Sequence, residues 1–179
     1  NLTIDFDNLE KYLNKFKFKK KNLYNPKTKK FIKAIIVLHT FGYVADLTKA
    51  RKICKKFNLI LIEDAAEALG SYFNRIHVGN FGKCGILSFN GNKVITTGAG
   101  GALITNNKKL YSKILNLSKV SKTSQKYIFD YDRVGYNYRM PNLNASLGIS
   151  QLKKLKKILQ LKKRLHDKYA NFFHTQYRI

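Results

Sequence analysis

Residues 59–71 read LILIEDAAEALGS, and residues 86–105 read ILSFNGNKVITTGAGGALIT. The first stretch is a short apolar run that ends in two acids. Such a run fits a strand buried in a parallel sheet, and in open parallel sheets ligands bind beyond the carboxyl ends of the strands. Asp64 stands where that strand runs out, and Glu67 follows one helical turn later. Asp64 could equally cap the AAEAL turn. In the second stretch Lys93 follows the small-residue turn NGN and precedes TTGAGG. A glycine run lets the backbone approach a ligand closely. An acid at a strand end, a lysine after a turn and a glycine-rich loop are together the parts of a cofactor site.

Working outward, FIKAIIVLH (residues 31–39) is another apolar run, rich in β-branched residues, and predicts a strand buried on both faces. HTFGYVAD is a loop, with Asp46 as a helix N-cap. LTKARKICKKF sets Leu47, Ala50, Ile53, Cys54 and Phe57 on one face of an amphipathic helix. Strand, loop, helix and the LILIED strand form a βαβ unit with a right-handed crossover. GILSF and GALIT predict two more strands, with a small one at Ile76–Val78. NNKKLYSKILNLSK predicts a helix with Leu110, Ile114 and Leu117 on one side. Ahead of these, LTIDFDNLEKYLNKF has helical spacing at Leu9, Leu13 and Phe16, and KFKKKNLYNPKTKK reads as a basic loop with a proline turn. Residues 121–142 are long, aromatic and irregular, the kind of loop that often carries function. From Leu143 to about Phe173 the pattern is helical, with Leu152, Leu155, Leu159 and Leu165 on one side. That helix is expected to pack on its own domain. The fold class is α/β, a mostly parallel sheet with helices on both faces.

Composition narrows the function classes. The chain has 179 residues, enough for a domain with a real core. No apolar run approaches the roughly 20 residues of a membrane span, and no secretory signal is visible at the start. Without an initiator methionine, the chain reads as a piece of a longer protein. Cys54 and Cys84 are far apart and predict reduced buried thiols in a cytosolic protein. The four histidines share no metal-ligand spacing. The formal charge of +25 would draw nucleic acid or an anionic membrane. Nearly all of the excess is lysine, however, in a Lys-, Asn- and Ile-rich composition that an A+T-biased genome produces without selection for polyanions. A basic module for RNA or membrane is therefore the alternative reading, not the leading one.

The order of motifs excludes several chemistries. A nucleotide-hydrolase phosphate loop has its lysine after the glycines; here Lys93 precedes them. The G-x-S-x-G of serine hydrolases and the G-x-G-x-x-G of dinucleotide sites are missing. A lysine amine in a partly desolvated pocket can condense with a carbonyl as a Schiff base. With an aspartate aimed at a pyridinium nitrogen, and a serine hydroxyl for the phosphate, it forms the protein side of pyridoxal 5'-phosphate (PLP) chemistry.

EDAAEALGS, VGNFG, SFNGNK, TTGAGG and GYNYRMPNLNASLGISQL, in that order and spacing, resemble the DegT/DnrJ/EryC1/StrS family of PLP-dependent nucleotide-sugar aminotransferases. NPKTKKFIKAIIVLHTFGYVADL resembles the family's strand and His-x-x-Gly loop. The resemblance covers nearly the whole chain. It implies part of the large domain of a fold type I PLP aminotransferase in residues 1–140, and the first helices of the small C-terminal domain in 141–179. By the same resemblance Lys93 is the catalytic, cofactor-bearing lysine and Asp64 the partner of the ring nitrogen. Glu67 lies near the ring hydroxyl, and Ser88 binds the phosphate. Asn137 reaches the PLP phosphate of the neighbouring subunit of a homodimer, and Arg139 contacts substrate or phosphate.

The motifs look most like those of enzymes that aminate the C4 keto group of a 6-deoxy sugar nucleotide with glutamate as donor. That branch includes the bacillosamine and legionaminic-acid pathway enzymes and the perosamine synthases, and Ala99, where many relatives have an acid, suits it. The implied setting is cytoplasmic synthesis of surface glycan. Family members that act as sugar 3-dehydrases carry histidine in place of Lys93, which argues against that activity. The family fold also implies about a hundred further N-terminal residues, with a phosphate-binding turn and a ring-stacking aromatic.

Overall fold

The structure is a computed structural model, and it describes residues 2–122, 130–131 and 133–177. These form two compact units, Asn1–Ser88 with Gly101–Met140, and Phe89–Gly100 with Pro141–Ile179.

In the first unit, helix α1 (Phe6–Leu13) starts at Asp5, whose side chain accepts the backbone N–H groups of Asp7 and Asn8. It turns Phe6 and Leu13 inward. The lysine-rich segment after it is not a loop. It folds as a three-stranded antiparallel sheet, β1 (Lys17–Lys19), β2 (Asn22–Asn25) and β3 (Lys30–Ile32), in that order. Leu23 explains the difference. It is fully buried at the centre of β2, in register with Phe18 and Ile32, so alternate apolar residues outweigh the flanking lysines. The apolar run 31–39 is accordingly split. Phe31 and Ile32 belong to this sheet, and β4 (Ala34–Leu38) belongs to the next.

The main sheet has the order β4, β5 (Ile60–Asp64), β8 (Cys84–Ser88), β9 (Gly101–Ile104). The first three strands are parallel, and β9 runs antiparallel to β8. Between β4 and β5 lie a 3-10 turn at Thr40–Gly42 and helix α2 (Leu47–Phe57). Asp46 caps α2 by accepting the Lys49 N–H, and Asn58 ends it in the left-handed conformation. The predicted face of α2 is the one that is buried: Leu47, Ala50, Ile53, Cys54 and Phe57. Between β5 and β8, β6 (Tyr72–Phe73) and β7 (Ile76–His77) make a small hairpin. Helix α3 (Lys108–Ser118) follows β9, capped by Asn107. Cys54 and Cys84 are free, buried thiols.

One expectation is corrected by the burial pattern. The strand β4 is not buried on both faces. Ile35 and Val37 are buried, but Ile36 is 64% exposed and Leu38 43%. Strand register places Ile36, Leu38, Ile60, Ile86 and Leu103 on one side of the sheet, and all five are exposed. Helix α2 and the loops cover only the opposite side, so adjacent residues on one strand meet different solvents.

The second unit contains the loop 89–100 and helix α4 (Asn142–Tyr177). The two meet near the start of the helix. Asn144 Nδ2 donates to the Thr97 carbonyl at 2.6 Å, and Gly148 leaves room for the Thr97 methyl. Of the stripe expected to pack on its own domain, Leu152 and Leu165 are exposed, while Leu155 and Leu159 are half-buried.

The two-sided sheet is testable by paired truncations. Leu61→Ala, on the covered side, should cost about 2–5 kcal/mol, and Ile36→Ala, on the open side, less than about 1 kcal/mol. Urea denaturation of both variants checks this; equal losses would contradict the assignment of faces.

Candidate active site

Strand β5 ends in two successive carboxylates, and the strand period sends them to opposite sides. Asp64 lies on the open side, in register with Leu38 and Ile86. Ser88, two residues beyond Ile86, shares that side at the end of the neighbouring strand. Asp64 is half-buried. Its Oδ1 accepts the Ala66 N–H at 3.1 Å, and its carbonyl accepts the His39 N–H at 3.0 Å. Its Oδ2 has no hydrogen-bond partner among the described residues. The carboxylate thus caps the following turn with one oxygen and presents the other at the carboxyl edge of the sheet.

Glu63 points the other way and is fully buried. Oε2 accepts the Gly79 N–H at 2.7 Å, and Oε1 accepts the N–H groups of Phe81 at 2.7 Å and Gly82 at 2.6 Å. His39, also fully buried, completes the set. Its Nδ1 accepts the Ala45 N–H at 3.2 Å, so the ring hydrogen is on Nε2 and is donated to Glu63 Oε2, 3.2 Å away. Burial pushes the Glu63 carboxyl pKa up, but hydrogen bonds from His39, Gly79, Gly82 and Phe81 outweigh it and hold the group below its ordinary range. Gly79 has φ +93, which turns its N–H towards Glu63 where a side chain would be strained. One anion therefore ties β5 to the loop after β4 and to the loop before β8.

Glu67 lies just past Asp64 and accepts the Phe41 N–H on Oε2 at 3.0 Å. Ser71 Oγ donates to the Gly42 carbonyl at 2.9 Å, so the loop 39–45 is held from both ends. Phe41 itself adopts φ +52 with its ring 72% exposed, an uncommon conformation for a bulky residue.

Lys93 belongs to the second unit. Its N–H donates to the Asn90 carbonyl at 3.1 Å, closing the NGN turn, and its side chain is half-buried. The loop around it is stapled: Phe89 N–H donates to the Gly100 carbonyl, Thr97 N–H to that of Phe89, and Gly98 N–H to Thr96 Oγ1. Ile95 and Thr97 are buried, which fixes the loop two residues beyond the lysine.

Asn137 and Arg139 are in the first unit but border another cleft, of about 450 Å³, which also involves Lys119, Val120 and Lys122. Of the predicted residues, Asp64, Glu67 and Ser88 thus share one strand edge, and Asn137 with Arg139 forms a second group. Glu63, Lys119 and Lys122 had not been singled out, and His39 only as the first residue of the His-x-x-Gly loop. For Glu63 the signal was present: with Asp64 on one side of a strand, its neighbour must face the other. Among the described residues no helix is long and apolar enough to cross a membrane, and no cluster of histidine, cysteine and acidic residues could hold a metal.

The profile of the DegT/DnrJ/EryC1/StrS aminotransferase family matches residues 4–177. The chain belongs to this family. Among curated relatives, it is 38% identical over 145 residues to GDP-perosamine synthase of Vibrio cholerae, covering 81% of this chain and 39% of that protein. It is 38% identical over 144 residues to the UDP-4-amino-4,6-dideoxy-N-acetyl-beta-L-altrosamine transaminase of Campylobacter jejuni, covering 79% and 38%. The chain thus spans about two fifths of the length of the curated relatives it matches. Among solved structures, Helicobacter pylori PseC, an aminotransferase involved in the biosynthesis of pseudoaminic acid, superposes with a TM-score of 0.82 at 30% identity over 96% of this chain and 42% of that one. A family aminotransferase from Brucella abortus gives 0.82 at 25% identity, over 97% and 44%. The α/β architecture is that of the fold type I PLP aminotransferases.

The buried carboxylate makes stability depend on acid. Its folded-state pKa is depressed, so its contribution is complete above the unfolded value of roughly 4.3 and is lost as pH falls through the folded value. Glu63→Gln should lower stability at neutral pH by about 3 kcal/mol or more, because buried N–H donors lose their acceptor. It should also remove part of the acid dependence. Denaturation of both proteins from about pH 7 down to about pH 3 checks this; identical acid dependence would contradict it.

Proposed function

We propose that this chain carries the lysine-bearing part of a PLP site in an aminotransferase that moves an amino group from glutamate to the C4 ketone of a 6-deoxy, nucleotide-linked sugar. Family membership supports the reaction class, and the activities named for the V. cholerae and C. jejuni relatives support a nucleotide-sugar substrate. The observation that carries the reading is Asp64: a half-buried carboxylate at the carboxyl end of a parallel strand, anchored by one oxygen with the other presented.

The residues present suit the cofactor. A carboxylate that presents one oxygen beside an apolar sheet face matches a flat ring with a cationic nitrogen, and a serine hydroxyl at the next strand end matches a phosphate. When bound, PLP supplies an electron sink that lets an amino group pass between two carbonyl carbons. In this proposal Asp64 keeps a proton on the ring nitrogen. Lys93 would hold the cofactor through its amine and would move a proton between the two carbons that flank the transferred nitrogen in both half-reactions. Glu67 lies near the ring hydroxyl, and its hold on the Phe41 N–H keeps the loop 39–45 beside the ring. Ser88 contacts the phosphate, Asn137 reaches the phosphate held by the other subunit of a homodimer, and Arg139 contacts substrate or phosphate.

Residues 1–140 are assigned to the large domain and 141–179 to the start of the small one. The setting proposed is the cytoplasm, in the supply of amino sugars for surface glycan.

Adding PLP to the purified chain should give the visible absorption band of lysine-bound PLP, and Lys93→Ala should abolish it. Asp64→Ala should weaken PLP binding about tenfold or more, the loss of one charge-assisted hydrogen bond. A band of equal strength with Lys93→Ala would mean that surface lysines are reacting and would refute the assignment.

A further inference from the structure

A cleft of about 620 Å³ lies wholly within the first unit, beside α2 and at the amino ends of β5 and β8. Asp64 and Ser88 stand at the carboxyl ends of the same two strands. The cleft and the candidate active site are therefore at opposite ends of the sheet. The volume is that of a small-molecule pocket.

The floor of the cleft is apolar. Leu59 and Leu61 supply it from β5 and the residue before it, with Phe73 and Phe81 beside them. The two phenylalanine rings meet edge to face, 5.6 Å between centroids, and both are half-buried. Phe73 is brought there by the tight turn of the β6–β7 hairpin. Asn74 and Arg75 adopt φ +47 and +65, the pair of left-handed residues that a two-residue hairpin loop requires. The segment holding Phe81 is fixed as well. Gly82 lies so close to β5 that a Cβ would fall 2.6 Å from the Leu61 carbonyl oxygen, and the Lys83 N–H donates to that oxygen at 2.7 Å.

The rim is basic. Arg51 and Lys55, spaced by four, share one flank of α2 with Lys52, and Lys83 stands on the facing segment. No acid lines the cleft. The other flank of α2 is different. There Lys49 meets Asp7 at 2.8 Å and Lys56 meets Glu10 at 2.6 Å. Among the described residues Arg51, Lys52, Lys55 and Lys83 have no such ion pair. A lysine-rich composition supplies the charges, but the fold decides which of them meet acids. It leaves four cations unmatched around an apolar floor.

We propose that this cleft binds a compact organic anion, an aromatic body carrying a sulfonate, carboxylate or phosphoryl group. The ring packs on Phe73 and Phe81, and the anionic group takes the forked donors of Arg51 with Lys52, Lys55 and Lys83 around it. Both halves of the ligand are needed. An inorganic anion leaves the floor wet, and a neutral ring leaves the cations unmatched. The site is separate from the one assigned to PLP and does not depend on the transaminase reading.

The probe for the test is anilinonaphthalene sulfonate, an aromatic anion that reports apolar surface by fluorescence. It is titrated into the 179-residue chain at about 0.15 M salt, where diffuse attraction is screened. Arg51→Ser and Lys55→Ser, both at exposed positions, should each weaken binding about tenfold. Lys27→Ser and Lys156→Ser, charge-matched controls outside the cleft, should change it less than about threefold. Ile36→Ser, on the open side of the sheet, should also change it less than about threefold. Neutral anilinonaphthalene should bind at least about tenfold more weakly than the sulfonate, and inorganic sulfate at equal concentration should not displace the probe. The PLP band should persist in Arg51→Ser and Lys55→Ser, which also shows that these variants are folded. No saturable fluorescence, or equal losses in cleft and control variants, would overturn the proposal. So would a loss confined to Ile36→Ser, which would put the probe on the open side, or displacement by sulfate. Loss of the PLP band in parallel with probe binding would overturn the separation of the two sites. Cleft-dependent probe binding in a chain whose PLP band ignores Lys93→Ala would leave this site standing and remove the transaminase reading instead.

Discussion

A single buried anion organises the carboxyl edge of this sheet. Glu63 collects three backbone N–H groups and the ring N–H of His39, all from segments outside β5. An unpaired carboxylate in that position would be driven to its neutral form, so the hydrogen bonds decide whether the edge can exist at all. His39 passes the constraint on, because its other ring nitrogen holds Ala45 and its backbone N–H holds the Asp64 carbonyl. The loop after β4, the end of β5 and the loop before β8 therefore stand or fall together. The edge that carries Asp64 is held in place because its neighbour Glu63 is spent on structure.

The sheet's two sides divide the labour. On one, α2 closes over Ile35, Val37 and Leu61, and supplies most of the hydrophobic stabilisation. On the other, Asp64 and Ser88 share a surface with exposed Ile36, Leu38 and Ile86. An apolar surface with a carboxylate and a hydroxyl at its end is also what a flat, partly charged ring requires. The surface that would be a liability in a free-standing domain is the one on which the proposed cofactor residues lie.

Much of this was legible in the sequence. The α2 face was read correctly because five apolar residues at helical spacing admit one arrangement, and Asp46 was a recognisable cap. Asp64 was singled out because the apolar run ended on it, and the structure places it at the end of β5. The lysine-rich hairpin was misread as a loop, since its pattern rests on a few apolar residues, chiefly Leu23, among many charges, and charge gives no period. The exposure of Ile36 and Leu38 was not predicted: an apolar run says that a strand prefers burial, not what lies against it. The Glu63 cage needed tertiary structure, because its donors come from residues 39 and 79–82. The left-handed turn at Val120 and Ser121 carries no local signal, as valine is among the last residues expected at positive φ. Within the long loop 121–142 the reading of function concerned a segment of which 123–129 and 132 lie outside the described residues.

The central claim is that one lysine, among the 35 lysines and arginines of a strongly basic chain, is chemically distinct. Borohydride fixation of bound PLP followed by mass-spectrometric mapping of the modified peptides tests it most directly. The account predicts that at low cofactor excess the label resides on the peptide containing Lys93. A label spread over the lysines of α4 and the N-terminal hairpin, with no preference for Lys93, would contradict it.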